Sequence, residues 1–183
     1  MPTIAFLANL STAEHKRRWD LLNEHAPNGV NVVVADPTGS PGELIEALKD
    51  ADVAMSQGPG IAPSLFTHMG NNGRCKGLVS FGHGYDGMDL SSAVENGVVL
   101  ANTASFGTEE VSNQTMMHFL VCSRKFVLHD KLVKNGTWTR EHLAPMGHIA
   151  GQTFGIIGLG DIGRTVARKA QAFGMKVIGY DPF

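Results

Sequence analysis

The sequence feature that most constrains the fold is a glycine-rich turn between two apolar segments near the end of the chain. Residues 153–157 form a short apolar run, and a turn with the spacing G-x-G-x-x-G follows at residues 158–163. The next segment repeats apolar residues at helical spacing as far as Phe173, and a second apolar run over residues 175–180 ends at Asp181. This order predicts a strand, a tight turn, a helix and a second strand, which together make a parallel βαβ unit.

The glycines of this turn have separate mechanical roles in binding a dinucleotide. Gly158 permits the tight turn, Gly160 lets the backbone approach a pyrophosphate, and Gly163 lets the helix pack closely on the strand. We expect the main-chain amides of Asp161 and Ile162 to point at the phosphates, where the positive end of the helix dipole favours negative charge. Because 22 of the 183 residues are glycine, this spacing has a chance probability of roughly 0.3 per chain. The prediction therefore depends on the flanking strands and helix.

Asp181 indicates which dinucleotide is bound. It lies 18 residues beyond Gly163, at the end of the second strand. A carboxylate at that point accepts hydrogen bonds from the adenosine ribose and repels a 2′-phosphate. We therefore predict NAD rather than NADP. The predicted cofactor-binding residues of this unit are Gly158, Gly160, Asp161, Ile162, Gly163 and Asp181.

The first hundred residues alternate short apolar runs with segments of helical spacing. The runs are nearly continuously hydrophobic, which is typical of strands covered on both faces. They are Ile4–Ala8, Val30–Ala35, Asp52–Ser56, Gly77–Phe81 and Val98–Ala101. The helix candidates between them are Ala13–His25, Pro41–Asp50, Pro63–Asn71 and Asp89–Asn96. This alternation predicts right-handed βαβ crossovers and an α/β domain with a doubly wound parallel sheet.

A long helix is predicted over Thr108–Asn135, a stretch without glycine or proline. Thr108 is the candidate N-cap, and the pair Glu109–Glu110 suits the positive end of the helix dipole. Gly136 offers the stop. Because the middle of this helix is apolar on most sides, we expect it to be buried between two bodies. Residues 137–151 show no clear periodicity, and we interpret them as a connection between domains.

Composition argues against several classes of partner. The formal net charge is -2 and only 17% of the residues are charged, so we expect no nucleic acid or membrane partner. The first ten residues lack a basic region, and no apolar stretch reaches membrane length, which predicts a cytoplasmic protein. Cys75 and Cys122 are far apart and lack nearby histidines. We therefore predict buried reduced thiols, with no disulfide and no metal site.

Residues 75–183 resemble the D-isomer-specific 2-hydroxyacid dehydrogenase family. The G-x-G-x-D loop of that family is matched by Gly82–Asp86, and the strand after it by Gly97–Thr103. The beginning of the family's crossover helix is matched by Glu109–Val111, and the dinucleotide fingerprint continues to Tyr180–Pro182. The first 70 residues match this family in pattern only.

The resemblance implies a flavodoxin-like substrate domain followed by the start of a Rossmann NAD-binding domain. The implied divisions are residues 1–104 for the substrate domain, 105–136 for the interdomain crossover helix, 137–152 for the connection and 153–183 for the first βαβ unit of the NAD-binding domain. It also implies hydride transfer between NAD and a small D-2-hydroxy or 2-oxo acid. Full-length members of the family form homodimers.

The resemblance further implies a substrate loop in the interdomain cleft, with its backbone amides facing the substrate carboxylate. The substrate-binding residues carried over are Phe81, Gly82, His83 and Gly84. His83 stands where relatives place a small threonine or serine beside the cofactor, and a solvent-edge histidine without a special role is the alternative. Val111 is implied to pack near the nicotinamide, with a core valine as the alternative. Gly87 replaces an asparagine that is usual in the family.

The family's catalytic arginine, glutamate and histidine are expected beyond Phe183. In complete members the arginine clamps the substrate carboxylate, and the histidine, supported by the glutamate, moves the hydroxyl proton. We therefore assign no catalytic residue and expect this N-terminal portion to be inactive alone. The histidines of the crossover helix and the connection are predicted to be surface or helix-face residues. They are His118, His129, His142 and His148.

Two other functions remain open at this point. The sequence Gly107–Val111 is most similar to a branch that holds phosphoglycerate dehydrogenases and C-terminal-binding-protein-like members. In the latter, NAD occupancy controls assembly with partners rather than turnover. An adenosylhomocysteinase-like hydrolase has the same two-domain layout, but the loop at Gly82–Asp89 argues against it.

Overall fold

Each apolar run predicted as a strand in the first hundred residues forms one. In the computed structural model the strands of this region are β1 (Thr3–Leu7), β2 (Asn31–Ala35), β3 (Val53–Ser56), β4 (Gly77–Ser80) and β5 (Val99–Asn102). The helices between them are α1 (Thr12–His25), α2 (Pro41–Lys49), α3 (Pro63–Phe66) and α4 (Leu90–Glu95). The predicted helix Pro63–Asn71 is too long, because Gly70 adopts a φ of 57° and begins a separate 3-10 turn.

The structure describes residues 1–9, 12–57, 61–141 and 145–183. His142, one of the histidines considered above, lies outside these residues. The chain divides into two units, Met1–Ala104 and Ser105–Phe183. In the described part of the chain, no helix combines the length and the apolar character needed to cross a membrane.

Strands β1 to β5 form one parallel sheet in the order β2-β1-β3-β4-β5. This is the flavodoxin-like order, in which the chain first moves outward from β1 to β2 and then crosses to the other side. It confirms the predicted doubly wound parallel sheet. The order places the carboxyl ends of β1, β3 and β4 beside one another at one edge.

The main core of the first unit lies between the sheet and the helices α2, α3 and α4. Its fully buried side chains include Leu7, Leu48, Phe66 and Leu78. The edge strands are less covered than the sequence predicts, since Val34 of β2 is 43% exposed and Val99 of β5 is 70% exposed. An edge strand has a neighbour on one side only, and apolar composition alone does not distinguish it from a central strand.

The described part of the second unit contains two helices followed by a βαβ arrangement. Its elements are α5 (Thr108–Ser123), α6 (Phe126–Lys134), β6 (Thr153–Ile157), α7 (Asp161–Ala172) and β7 (Lys176–Tyr180). Strands β6 and β7 are parallel neighbours, which confirms the predicted βαβ unit. Its core is formed by Met116 of α5, Val166 and Ala170 of α7, and Met175.

The predicted long helix over Thr108–Asn135 is two helices. The chain leaves α5 at Arg124, Lys125 adopts a left-handed φ of 49°, and α6 begins at Phe126. No glycine or proline marks this break, so the sequence pattern could not show it. The expected helix stop is correct, because α6 ends at Lys134 and Gly136 has a φ of 71°.

The beginning and the burial of α5 also differ from expectation. Gly107 is the N-cap and Thr108 is the first helical residue. The Thr108 hydroxyl is buried and makes no hydrogen bond to any described residue, so it does not cap the helix. Only Ser112 and Met116 of α5 are buried, whereas Met117 is 44% exposed. The apolar middle of α5 therefore packs through one face, against α7.

Candidate functional site

The glycine-rich turn connects β6 to α7 with a backbone that only glycine adopts easily at its first position. Gly158 has a φ of 91°, in the region that side chains disfavour. Its N–H donates to the carbonyl of Tyr180, at 2.8 Å, which continues the pairing of β6 and β7 into the turn. The turn thus lies at the carboxyl end of both strands.

The other two glycines of the turn differ in the space around them. A Cβ added to Gly163 would lie 2.0 Å from the carbonyl oxygen of Gly158, so the close approach of helix and strand requires glycine there. A Cβ added to Gly160 would have no atom within 4 Å. The open side of Gly160 is therefore a place where a ligand can approach the backbone, and the turn fits a dinucleotide pyrophosphate.

The amino end of α7 presents main-chain donors beside this open side. Gly160 is the N-cap and provides no side-chain cap. The first hydrogen bond of the helix runs from the Arg164 N–H to the Gly160 carbonyl, at 2.9 Å. The earlier amides, including that of Ile162, have no partner within the helix, which is the arrangement that binds anions.

The Asp161 carboxylate is held by neighbouring side chains. Arg164 Nη2 lies 2.6 Å from Asp161 Oδ1, and the Ser105 hydroxyl donates to Asp161 Oδ2 at 3.0 Å. Ser105 adopts a left-handed φ of 64° just before α5. The positive charge of Arg164 therefore offsets an acidic group located at the predicted phosphate site.

Asp181 is oriented by the backbone of the turn itself. Its Oδ2 accepts a hydrogen bond from the Leu159 N–H at 2.5 Å, and its Oδ1 accepts one from the Phe183 N–H at 3.0 Å. The Leu159 amide, followed by the Phe183 amide, lowers the pKa of Asp181 below its ordinary value. An ionised, fixed carboxylate beside the turn is suited to accept hydrogen bonds from ribose hydroxyls.

The predicted substrate loop follows β4, and its carbonyl groups accept hydrogen bonds from other residues of the first unit. Phe81 donates its N–H to the Ser56 carbonyl at 2.8 Å. The next three carbonyls all accept hydrogen bonds: Gly82 O from Thr103 N–H at 3.1 Å, His83 O from Asn102 Nδ2 at 2.8 Å and Gly84 O from Ser80 Oγ at 2.9 Å. No described residue accepts a hydrogen bond from the amides of Gly82, His83 or Gly84. The loop is therefore fixed through its acceptors while its donors stay available.

His83 and Val111, the other residues that the family resemblance assigns to the site, have exposed side chains. His83 is exposed on the substrate loop. Val111 lies in the first turn of α5 and is 47% exposed, so the alternative of a core valine is wrong.

The described histidines of the second unit do not form an acid–base pair. His118 Nε2 lies 2.9 Å from Gln114 Nε2, and His148 is exposed. His129 Nε2 is buried without a hydrogen bond to any described residue. Among the residues that the structure describes, none of the three contacts a carboxylate. The exposure of His118 and His148 agrees with the prediction of surface or helix-face residues, whereas His129 of α6 is half-buried.

The two cysteines differ from each other. Cys75 is buried, and its burial raises the pKa of the thiol. Cys122 is exposed, so the prediction of two buried thiols is wrong for this residue. The described residues include no group of three or more side chains that could hold a metal ion.

Two side-chain clusters were missed by sequence reasoning. In the first unit, the guanidinium of Arg18 stacks on Phe81 with Cζ 4.4 Å from the ring centroid. In the second unit, Lys169 Nζ of α7 lies 2.6 Å from Ser112 Oγ and 2.8 Å from Glu109 Oε2, both of α5. Each cluster joins residues that are far apart in sequence. In the sequence alone, Arg18 and Lys169 resemble the ordinary charged residues of a solvent-exposed helix face, so no local pattern indicates these contacts.

Residues 116–183 match the family model described as "D-isomer specific 2-hydroxyacid dehydrogenase, NAD binding domain". A D-3-phosphoglycerate dehydrogenase of Methanocaldococcus jannaschii is 33% identical over 142 residues, which are 77% of this chain and 26% of that protein. A hydroxypyruvate reductase of Thermotoga maritima is 32% identical over 76% of this chain and 45% of that protein. The chain belongs to the D-isomer specific 2-hydroxyacid dehydrogenase family.

A solved structure of a D-2-hydroxyisocaproate dehydrogenase has the same fold. The TM-score is 0.77 at 21% identity, and the alignment covers 100% of this chain and 54% of that one. The chain thus spans about half, or less, of the length of the relatives that it matches.

The match of residues 116–183 to the NAD-binding domain of the dehydrogenase family confirms the expectation of an NAD cofactor. The relatives named above are dehydrogenases and reductases, and they lend no support to the alternative of an NAD-sensing interaction protein. The resemblance that rested on the loop at residues 82–86 and on the fingerprint is therefore confirmed at the level of the family.

Proposed function

We propose that this chain provides the substrate loop and the first part of the dinucleotide site of an NAD-dependent dehydrogenase for small D-2-hydroxy acids. The observation that carries the proposal is the turn at residues 158–163, which combines an open approach at Gly160 with the fixed carboxylate of Asp181. On this proposal residues 1–104 are the substrate domain and residues 153–183 begin the NAD-binding domain.

The cofactor half of the proposal assigns one role to the amino end of α7 and another to the residue that follows β7. The main-chain amides at Asp161 and Ile162 hold the pyrophosphate, and Asp181 accepts hydrogen bonds from the adenosine ribose. The paired Arg164 lowers the electrostatic cost of the Asp161 carboxylate near the phosphates. When bound, NAD supplies the hydride acceptor for the oxidation of the alcohol carbon.

The substrate half of the proposal assigns the carboxylate of the 2-hydroxy acid to the loop at residues 81–84. Because the carbonyls of Gly82, His83 and Gly84 all accept hydrogen bonds within the first unit, the amides of these residues are the donors left for a ligand. Hydrogen bonds between N–H groups and a carboxylate are stronger than those between neutral groups. The loop therefore favours an acid over a neutral alcohol.

Substitution of alanine for Gly160 tests the cofactor half. The backbone of Gly160 is extended, with φ -65° and ψ -168°, and the new methyl group meets no protein atom within 4 Å. Folding should be retained, whereas a methyl group on the approach side should weaken NADH binding about 10- to 100-fold. Fluorescence titration of the purified chain with NADH measures this loss.

Gly155→Ala is the matched control. A Cβ at Gly155, in β6, also has no atom within 4 Å, but it lies outside the turn. The control should bind NADH as the unmodified protein does. The proposal fails if the unmodified chain does not bind NADH, or if Gly160→Ala binds it as tightly as Gly155→Ala does.

A further inference from the structure

A partly buried guanidinium lies against the first residue of the substrate loop. Arg18 of α1 has its Cζ 4.4 Å from the centroid of the Phe81 ring and 5.6 Å from that of the Phe6 ring. Its Nη1 donates to Gln57 Oε1 at 2.7 Å. Two aromatic rings and a side-chain amide therefore hold the guanidinium in one orientation.

No carboxylate neutralises Arg18 among the described residues. The salt bridges of the described part of the chain all involve other cations. Gln57 is neutral and accepts from Nη1 only, although a guanidinium has five N–H donors. Arg18 is half-buried, and an anionic partner can replace the hydration that its guanidinium loses. The unused donors of Arg18 therefore indicate that an anion from outside the chain completes the site.

The contacts that Arg18 of α1 makes with residues of the sheet place it where such an anion would meet the substrate loop. Phe6 is near the carboxyl end of β1, Gln57 follows β3 and Phe81 follows β4. These three strands are neighbours in the sheet, and ligands of open α/β sheets bind at the carboxyl ends of the strands. Phe81 belongs to both features, because its ring supports Arg18 and its backbone begins the loop.

There is also space beside the guanidinium. A cavity of about 360 Å³ opens next to it. Its lining is mainly apolar and consists of Phe6, Arg18, Leu21, Leu22, His25, Met55 and Phe81. Apolar walls lower the local dielectric, which strengthens the attraction between Arg18 and an anion.

We propose that Arg18 is a specificity-determining residue that binds a second anionic group of the substrate. The group is a carboxylate or a phosphate at the end of the 2-hydroxy acid remote from the carboxylate held by the loop amides. The planar fork of arginine fits both groups with two parallel hydrogen bonds. This inference rests on the proposed function, because it assumes that the loop at residues 81–84 binds the first carboxylate.

NMR titration of the full ¹⁵N-labelled chain tests the two assignments separately. The probes, at constant ionic strength, are D-lactate with one carboxylate, D-malate with two, and 3-phospho-D-glycerate with a carboxylate and a phosphate. The amides of residues 82–84 should shift with all three acids. The Arg18 Nε–Hε signal should shift only with the acids that carry a second anion, and the response to D-malate or 3-phospho-D-glycerate identifies which group is preferred.

Arg18→Gln removes the charge and the fork. A hydrogen bond to a charged group corresponds to a factor of about 10 to 100 in affinity, so this variant should raise the Kd of the preferred doubly anionic acid by that factor. The Kd of D-lactate should stay within about twofold. Arg18→Lys keeps the charge without the fork and should give an intermediate Kd. Arg17→Gln, at the exposed neighbouring position of α1, is the matched control and should change neither Kd.

The outcomes separate this inference from the proposed function. If the loop amides respond to the acids but the second anion brings no gain in affinity, the assignment of Arg18 is overturned and the proposed function stands. An Arg18→Gln variant that weakens all three acids equally also overturns it, because Arg18 would then only support the loop. If the loop amides respond to none of the acids, the substrate half of the proposed function is refuted.

Discussion

The close approach of α7 to the glycine-rich turn gives a stability prediction whose sign depends on one distance. Replacing glycine by alanine in a helix ordinarily stabilises a protein by up to about 1 kcal/mol, because the unfolded chain loses conformational freedom. At Gly163, however, the new Cβ would lie 2.0 Å from the backbone oxygen of Gly158. A backbone atom cannot move aside as a flexible side chain does, so helix and turn must separate.

The steric term is the larger of the two. Overpacking of this kind costs about 1 to 3 kcal/mol, which exceeds the gain in helix propensity. We therefore expect Gly163→Ala to lower the free energy of unfolding by about 1 to 2 kcal/mol. For a chain of this length the corresponding decrease in Tm is about 2 to 8 °C. Thermal unfolding followed by far-ultraviolet circular dichroism measures it.

Gly42→Ala is the matched control, since it makes the same substitution in the first turn of another helix. Gly42 lies in α2, and a Cβ there has no atom within 4 Å. This variant should be as stable as the unmodified protein or more stable by up to about 1 kcal/mol. If Gly163→Ala unfolds at the same temperature as Gly42→Ala, the close approach that defines the turn is refuted.

Two further variants test the sites around the turn. Asp181→Asn should reduce the preference for NADH over NADPH in fluorescence titrations, because the amide no longer repels a 2′-phosphate. It should also remove a pH dependence of stability. The pKa of Asp181 is lowered in the folded state, so its contribution is present above the ordinary carboxyl pKa and is lost as the pH falls through the lowered value. Lys169→Met should destabilise the protein by about 1.5 to 3 kcal/mol in urea unfolding, because the buried hydroxyl of Ser112 loses a charged partner.

Controls separate these effects from general losses of charge. Glu24→Gln removes an exposed carboxylate of α1 and should change neither the NADH preference nor the acid limb of the stability profile. Lys49→Met breaks an exposed pair with Glu46 within α2 and should leave the urea midpoint unchanged. The reasoning fails if Asp181→Asn keeps the full preference for NADH, or if Lys169→Met is as stable as Lys49→Met.

The parallel sheet and the dinucleotide turn could be predicted because their signals are local. The apolar runs of β1 to β5 and the turns between them alternate within short windows of sequence. The spacing of Gly158, Gly160 and Gly163 reflects the backbone conformation of the turn and its close contact with α7. Neither requirement depends on side chains from other parts of the chain. Asp181 is at the end of a strand that the sequence already identifies, so its position beside the turn follows from parallel pairing with β6.

The loop at residues 81–84 was predicted only through resemblance to a family. Composition and periodicity do not show that its three carbonyls are engaged by Asn102, Thr103 and Ser80. Two of these partners, Asn102 and Thr103, lie about 20 residues away, at the end of the neighbouring strand β5. Which groups of the loop remain available to a ligand is therefore decided by the pairing of β4 with β5.

The sequence by itself determined the order of strands and helices, the turn that begins α7 and the acid at residue 181, because each depends on neighbouring residues and on backbone freedom. Only the tertiary structure decided the break at Lys125, the partners of Asp161 and the stacking of Arg18 on Phe81. The break at Lys125 depends on packing. The Ser105 partner of Asp161 and the stacking of Arg18 on Phe81 are contacts across 50 or more residues of chain, whereas the Arg164 partner of Asp161 is local. A pattern read along the chain carries no information about such contacts until the sheet and the helices have brought the residues together.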